Sequence, residues 1–299
     1  MSRWIDESPM NVRPQRTIAT TAEVAGFGLF GGADCRLRFC PASEGSGIRF
    51  RRVDVPNSRP VPALVEFVTK VPRRTAISDG HSTIETIEHV MSALAGLCID
   101  NCLVEVDAAE PPIGDGSALH FVNALLSAGI VEQGEEVTSF DASGSFTVDG
   151  SGGQSIGVEL ADDYAIRYSI DYGPGSSIKP HSYFTVVSPE TYIREIAGAR
   201  TFILASEIEG LRKLGYGRRA TTENLLVFHE HGVENETLRW PDECARHKVL
   251  DAIGDLALAG GRWNGHFHAV KSGHHLNHDM AWRLAESKPG VNRTVRRAA

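Results

Sequence analysis

The sequence predicts an α+β protein of two similar domains, residues 1–133 and 134–299, each a sheet layered with helices, with the functional site at the domain junction. Three observations carry this prediction. Short strand-like segments precede helical ones in the first half, and the same order recurs in the second. A polar stretch, 132–144, reads as the connection between the halves. The helical segments around His89 and His247 share a faint pattern, with Ala and Gly at matching offsets after each His, which hints at an internal duplication.

Taken in order, residues 1–13 read as a loose tail. Arg36-Leu37-Arg38-Phe39 and Ile48-Arg49-Phe50-Arg51 alternate apolar with cationic residues, the period of a half-buried strand, and Val65 to Val68 reads as a further strand. Gly26 to Gly32 lacks the Lys-Ser/Thr of a phosphate-binding loop and is read as a tight turn between strands. Ser82 with Glu85 forms a capping-box pattern that predicts a helix start, with Ile84, Ile87, Met91 and Leu94 as its apolar stripe. Glu88 falls inside that stripe, so it is either at a helix edge or buried for a purpose. A strand over Cys102–Val106 follows, then a turn-rich stretch to Gly116. A helix over Ser117–Ser127 comes next, with Phe121, Leu125 and Leu126 inward. The second half predicts strands around 145–172 and 182–187 and helices over 189–197 and 242–259, then a strand over 265–271.

The chain has 299 residues, 41% apolar and 23% charged, as an ordinary globular protein does. Its net charge of −8 argues against a nucleic-acid partner. No apolar run is long enough to span a bilayer, and the N-terminus lacks the charged-then-apolar order of a signal peptide. Cys35, Cys40, Cys98, Cys102 and Cys244 are scattered without a C-x-x-C pair, which reads as reduced thiols in a cytoplasmic protein.

The chemistry concentrates in Arg246 to Asp255. On a helix, His247, Asp251 and Asp255 fall at i, i+4 and i+8, along one stripe. Val249, Leu250, Ile253 and Leu256 supply the apolar side. A His and an Asp one turn apart can hold one metal ion between them. An isolated pair of this kind is common and usually sits on a surface. Here Glu88-His89 upstream and Ser272-Gly273-His274 just downstream add the other parts of a site. Two His and one carboxylate leave an open metal position, the arrangement of catalytic zinc. The same donors could hold Fe(II) in an oxygenase, although such ligands usually sit on strands.

Ile87-Glu88-His89 through Gly96-Leu97 with Ile99-Asp100-Asn101, then Asp115-Gly116-Ser117, Ala199-Arg200-Thr201-Phe202, Arg246-His247-Lys248 through Asp255, and Ser272-Gly273-His274 resemble, in order, the motifs of the UDP-3-O-acyl-N-acetylglucosamine deacetylase family. The resemblance covers roughly residues 15–285. It implies a zinc-dependent deacetylase of lipid A biosynthesis, acting on an acylated nucleotide sugar. It implies His89, His247 and Asp251 as zinc ligands, Glu88 as general base and His274 as general acid. Thr201 is implied as a donor to the oxyanion, Asp255 as the residue that orients His274, and Lys248 as an active-site lysine. It also implies an acyl passage in a βαβ insert near 165–187. Residues 131–166 contain no Lys or Arg, so Lys271, Arg218 and Arg219 are the cations expected to meet a diphosphate. The chain is expected to act as a monomer. A related deacetylase of a different amide-bearing sugar, and a non-catalytic nucleotide-sugar binder, are the alternative functions. The binder would be expected to lack Glu88 or His274, and both are present.

Overall fold

The computed structural model describes residues 13–137, 139–234 and 237–288. Apart from Arg13, the stretch read as a tail therefore lies outside the described residues. The helices are α1 (Glu88–Gly96), α2 (Leu119–Ala128), α3 (Pro189–Thr191, continued by a π turn over Tyr192–Ile196), α4 (Ala205–Lys213), α5 (Glu243–Ala257) and α6 (His274–Glu286). None is long and apolar enough to cross a membrane.

In the first half, strands Ala22–Phe27, Asp34–Pro41, Cys102–Val106, Ile48–Arg52 and Val61–Pro62 lie side by side in that order. The second half sets Phe146–Asp149, Ser155–Glu159, Arg262–Val270, Tyr164–Ile170 and His181–Val186 side by side in the same way. Counted by their order along the chain, the strands of both sheets run 1-2-5-3-4. In both, the last strand pairs in parallel with the third, and the other neighbours in this series are antiparallel. In both, that last strand follows directly on a helix, α1 in one half and α5 in the other. The α+β class and the likeness of the two halves are thus properties of the structure.

Alternation explains the sheet faces. In Asp34–Pro41, Cys35, Leu37 and Phe39 are buried while Arg36 and Arg38 face outward. Helices α1 and α5 are buried on nearly every side and pack against each other. A Cβ on Gly254 of α5 would sit 2.1 Å from the Glu88 carbonyl oxygen, so only glycine permits this approach. Gly96, which like Gly254 stands seven residues after its histidine, makes room for the buried Tyr192 ring, whose hydroxyl donates to Ser92 Oγ at 3.0 Å.

Several local expectations are corrected. Thr83–Glu85 is not helical. It pairs with Ala76–Ser78 in a hairpin whose turn is closed by Asp79 Oδ1, which accepts from the His81 and Ser82 amides. Thr86 then takes φ 57°, and helix α1 begins only at Glu88. Val65–Phe67 forms a 3₁₀ turn, with the Val65 amide donating to the Leu258 carbonyl, and only Val68–Thr69 is strand. The stretch read as a connection is largely paired: Ile130–Glu136 runs antiparallel to Pro14–Ile18, and Ser139–Asp141 runs parallel beside Arg262–Asn264. Its polarity reflects a ribbon mostly exposed along Ile130–Glu136. Leu126 faces outward, 44% exposed, while Phe121 and Leu125 are buried as expected.

Candidate metal centre and catalytic cleft

His89 lies in the first turn of α1, and His247 and Asp251 lie one turn apart on α5. The contact between these helices brings the ligand atoms of all three residues within 4.8 Å of one another. His89 Nε2 and His247 Nε2 approach the same oxygen, Asp251 Oδ1, at 3.5 and 3.4 Å. The opposite oxygen, Oδ2, accepts from Lys248 Nζ at 3.0 Å. His247 Nδ1 lies 3.0 Å from the Ala199 carbonyl, so it carries the proton and leaves the Nε2 lone pair facing the centre. All three residues are buried. Two imidazoles and one carboxylate, with His247 Nδ1 and Asp251 Oδ2 already partnered on their outer sides, fit a single divalent ion with an open position.

The electrostatics suit that use. Burial pushes His247 down to about 3, only partly offset by Asp251. Burial alone would raise Asp251, but His247, Lys248 and a hydrogen bond from His89 hold its carboxylate well below the usual range. Burial opposes the Lys248 ammonium, yet Asp251 and two nearby tyrosines raise its pKa above the ordinary value.

The segment Ala199 to Thr201 is fixed from two sides. The buried Arg200 guanidinium pairs with Glu243, at the first position of α5, at 2.8 Å, and Glu243 also accepts the Arg200 amide. Thr201 donates its amide to the Gly116 carbonyl, and its own carbonyl accepts from Leu226. Gly116 has φ 85°, and a Cβ there would meet the Asn224 carbonyl oxygen at 2.3 Å. The Asp115-Gly116-Ser117 motif therefore braces Thr201, just before the strand Phe202–Leu204, while Asp115 itself pairs with Arg239 at 2.7 Å.

Glu88 and His274 line one cleft of about 1060 Å³ together with His89, His247, Asp251, Lys248 and Thr201. Glu88 is buried, and that burial raises its pKa against the opposing pull of His274 and His89. His274 opens α6. Its Nδ1 lies 2.8 Å from Asp255 Oδ2, and although burial disfavours its charge, Asp255, Glu88 and Asp251 raise it to about 9. Asp255 is fully buried behind the cleft. It is held in the anionic form against that burial by His274 and His278. The predicted site residues thus gather in one place.

The sequence reading missed Thr75 and His278. Thr75 is fully buried, and its amide donates to Glu88 Oε2 at 3.0 Å. His278 stacks one helical turn after His274, and a His pair spaced i, i+4 at the start of a helix was the signal available. Thr75 gave none.

Two substrate-side expectations change. Residues 164–186 form an antiparallel hairpin with no helix, because a glycine- and serine-rich loop joins its strands. The βαβ unit of this half is instead Phe202–Leu204, α4 and Leu226–His229, whose strands are parallel. Leu204, Ile208, Leu211 and Val227 from it line the cleft. Among the cations, Lys271 lines the cleft and pairs with Asp171 at 2.8 Å. Arg219 pairs instead with Asp34 and covers the Phe27 ring, and Arg218 is not among the lining residues. Arg73 and Arg212 do line the cleft. Phe30, in the glycine-rich turn, packs edge-on against Tyr216 beneath the Arg74 guanidinium.

The family described as LpxC, UDP-3-O-acyl N-acetylglycosamine deacetylase, matches residues 15–286. The UDP-3-O-acyl-N-acetylglucosamine deacetylase of Anaeromyxobacter sp. (strain Fw109-5) is 38% identical over 285 residues, covering 94% of this chain and 91% of that protein. The protein of the same name from Stenotrophomonas maltophilia (strain R551-3) is 40% identical over 282 residues, covering 90% and 89%. That of Xanthomonas axonopodis pv. citri (strain 306) is 39% identical over 273 residues, covering 90% and 89%. A match along nearly the whole chain means that this chain belongs to the UDP-3-O-acyl-N-acetylglucosamine deacetylase family.

Proposed function

We propose that the chain hydrolyses the N-acetyl group of a UDP-3-O-acyl-N-acetylglucosamine, a step of lipid A biosynthesis, with zinc on His89, His247 and Asp251. One observation carries the reading: a buried carboxylate, Glu88, and a histidine paired with a buried aspartate, His274, line the same cleft as the ligand triad. An ion on these ligands supplies a Lewis acid and lowers the pKa of a bound water. Glu88 takes the proton of the attacking water. Thr201 donates to the oxygen that gains negative charge. His274 gives its proton to the departing amine nitrogen, and Asp255 keeps that imidazole charged and oriented. Lys248 holds Asp251 by its outer oxygen and adds positive charge beside the reacting carbonyl.

The acyl chain is assigned to the apolar wall of the βαβ unit over 202–229, and the diphosphate to the side of Lys271. Fe(II) fits the same donor atoms, but all three ligands stand on helices, unlike the strand-borne ligands expected of an oxygenase. Five free cysteines support a cytoplasmic location. The division into 1–133 and 134–299 belongs to the same reading: strand pairings join segments on one side of it, with Ile130–Glu136 straddling the cut.

The test is acetate release from the acylated UDP-sugar by metal-loaded protein, set against its Glu88→Gln variant. Turnover by the first and its near loss in the second is expected. Release from a non-acylated amide sugar alone would favour the related deacetylase, and no release from either would favour a binder.

A further inference from the structure

We propose that Thr75 is the positioning residue that joins the base side of the cleft to the acid side. The residue is fully buried, immediately before the strand Ala76–Ser78. Its amide donates to Glu88 Oε2 at 3.0 Å, and its carbonyl accepts from the Ile87 amide at 3.2 Å. Its hydroxyl donates to Asp255 Oδ1 at 2.5 Å. One side chain and its own main chain therefore touch both the carboxylate assigned as base and the carboxylate that orients the acid.

The geometry is directional. Asp255 Oδ2 takes the His274 ring at 2.8 Å and the Asn277 amide at 2.9 Å. Oδ1 takes the Thr75 hydroxyl, with His278 Nε2 more distant at 3.4 Å. Because the hydroxyl proton is committed to Asp255, the contact of His278 Nε2 with Thr75 Oγ1, at 2.9 Å, requires His278 to donate. Thr75 thus holds the carboxylate in the rotation that aims Oδ2 at His274, and fixes the tautomer of His278. Without the hydroxyl, Oδ1 keeps only the long contact, and the carboxylate is free to turn toward His278. The proposal rests on the assignment of Glu88 and His274 as base and acid.

Two variants separate the hydroxyl from the space it fills. Thr75→Val keeps the shape and the amide, and Thr75→Ser keeps the hydroxyl. Thr75→Val should lose about 10–100-fold in kcat, the weight of one hydrogen bond to a charged group, with KM and bound metal unchanged. Thr75→Ser should recover most of that loss. A second reading needs no turnover. The His274 Nδ1 proton, followed by nitrogen-labelled histidine NMR, should be shifted far downfield in wild type and Thr75→Ser, and move upfield or broaden in Thr75→Val. Unchanged kcat in Thr75→Val, equal damage in both variants, or loss of metal in Thr75→Val would overturn the proposal. If the wild type releases no acetate, the proposed function fails, and the Nδ1 proton alone decides whether Thr75 sets the Asp255–His274 contact.

Discussion

The His274 ring meets the Asp255 carboxylate at 2.8 Å, and Asp255 has no exposed surface. The pair sets a pH dependence. Asp255, with Glu88 and Asp251, outweighs burial and raises His274 to about 9, so the proposed proton donor survives across the neutral range. Turnover should fall as pH rises through about 9, and Asp255→Asn should move that fall toward lower pH while reducing kcat. Stability follows the same sign. A folded value above the ordinary 6.5 gives a contribution that is full below 6.5 and lost as pH rises through about 9. The gap in urea midpoint between wild type and His274→Gln should therefore shrink over that window. A gap constant with pH would contradict the raised value.

Asp251 is shared by both histidines through one oxygen and held by Lys248 through the other. Asp251→Ala should bind metal far more weakly than wild type, as read by elemental analysis after dialysis. Stoichiometric zinc in that variant would show the ligand set to be wrong.

Glu88 and His274 are assigned proton transfers, and neither is a proposed ligand. Glu88→Gln and His274→Ala should each lower kcat by roughly 10²–10⁴-fold, with bound metal unchanged. Full activity in either variant would refute its role.

The Arg200–Glu243 pair is buried on both sides, 7% and 0% exposed. Removing one partner leaves a buried charge uncompensated, so Glu243→Gln should destabilise the fold by about 3–5 kcal/mol. The same variant should weaken metal binding, because Arg200 fixes the carbonyl of Ala199 that orients His247. Chemical denaturation and a competitive chelator measure the two effects separately.

Lys271 is the cation of the cleft assigned to the diphosphate. Losing one charge-assisted contact weakens binding by about 10–100-fold, so Lys271→Ala should raise KM for the UDP-linked substrate by that order. The acylated sugar without nucleotide should show no such change. Equal effects on both substrates would remove Lys271 from diphosphate recognition.

The legible parts of the sequence were those with a periodic or chemical signature. His247 and Asp251 stand one helical turn apart whatever the tertiary structure, and the alternation of Arg36 to Phe39 states which face is inside. What stayed hidden depends on contacts between distant residues. Ser82 and Glu85 have the spacing of a cap, but Asp79 and the pairing of Thr83–Glu85 with Ala76–Ser78 take them into a hairpin. Residues 130–136 look like a linker because a strand with mostly exposed side chains needs few apolar residues. Thr75 stands 13 residues from Glu88 and 180 from Asp255, and no local pattern marks it.

The repeat of strand order in the two halves bears on how the proposed three-ligand centre can arise at their contact. An exact repeat meeting its own copy offers every side chain in pairs, so it presents ligands only in even numbers. Counted from each histidine, the positions four and eight residues on are Asp251 and Asp255 in α5, but Ala93 within α1 and Leu97 just after its end, both buried. At these positions one copy therefore supplies packing, and the other supplies Asp251 and Asp255. An odd number of ligands, with one position left open, needs that broken symmetry. A single chain carrying both copies allows each to change alone, which two identical subunits could not do.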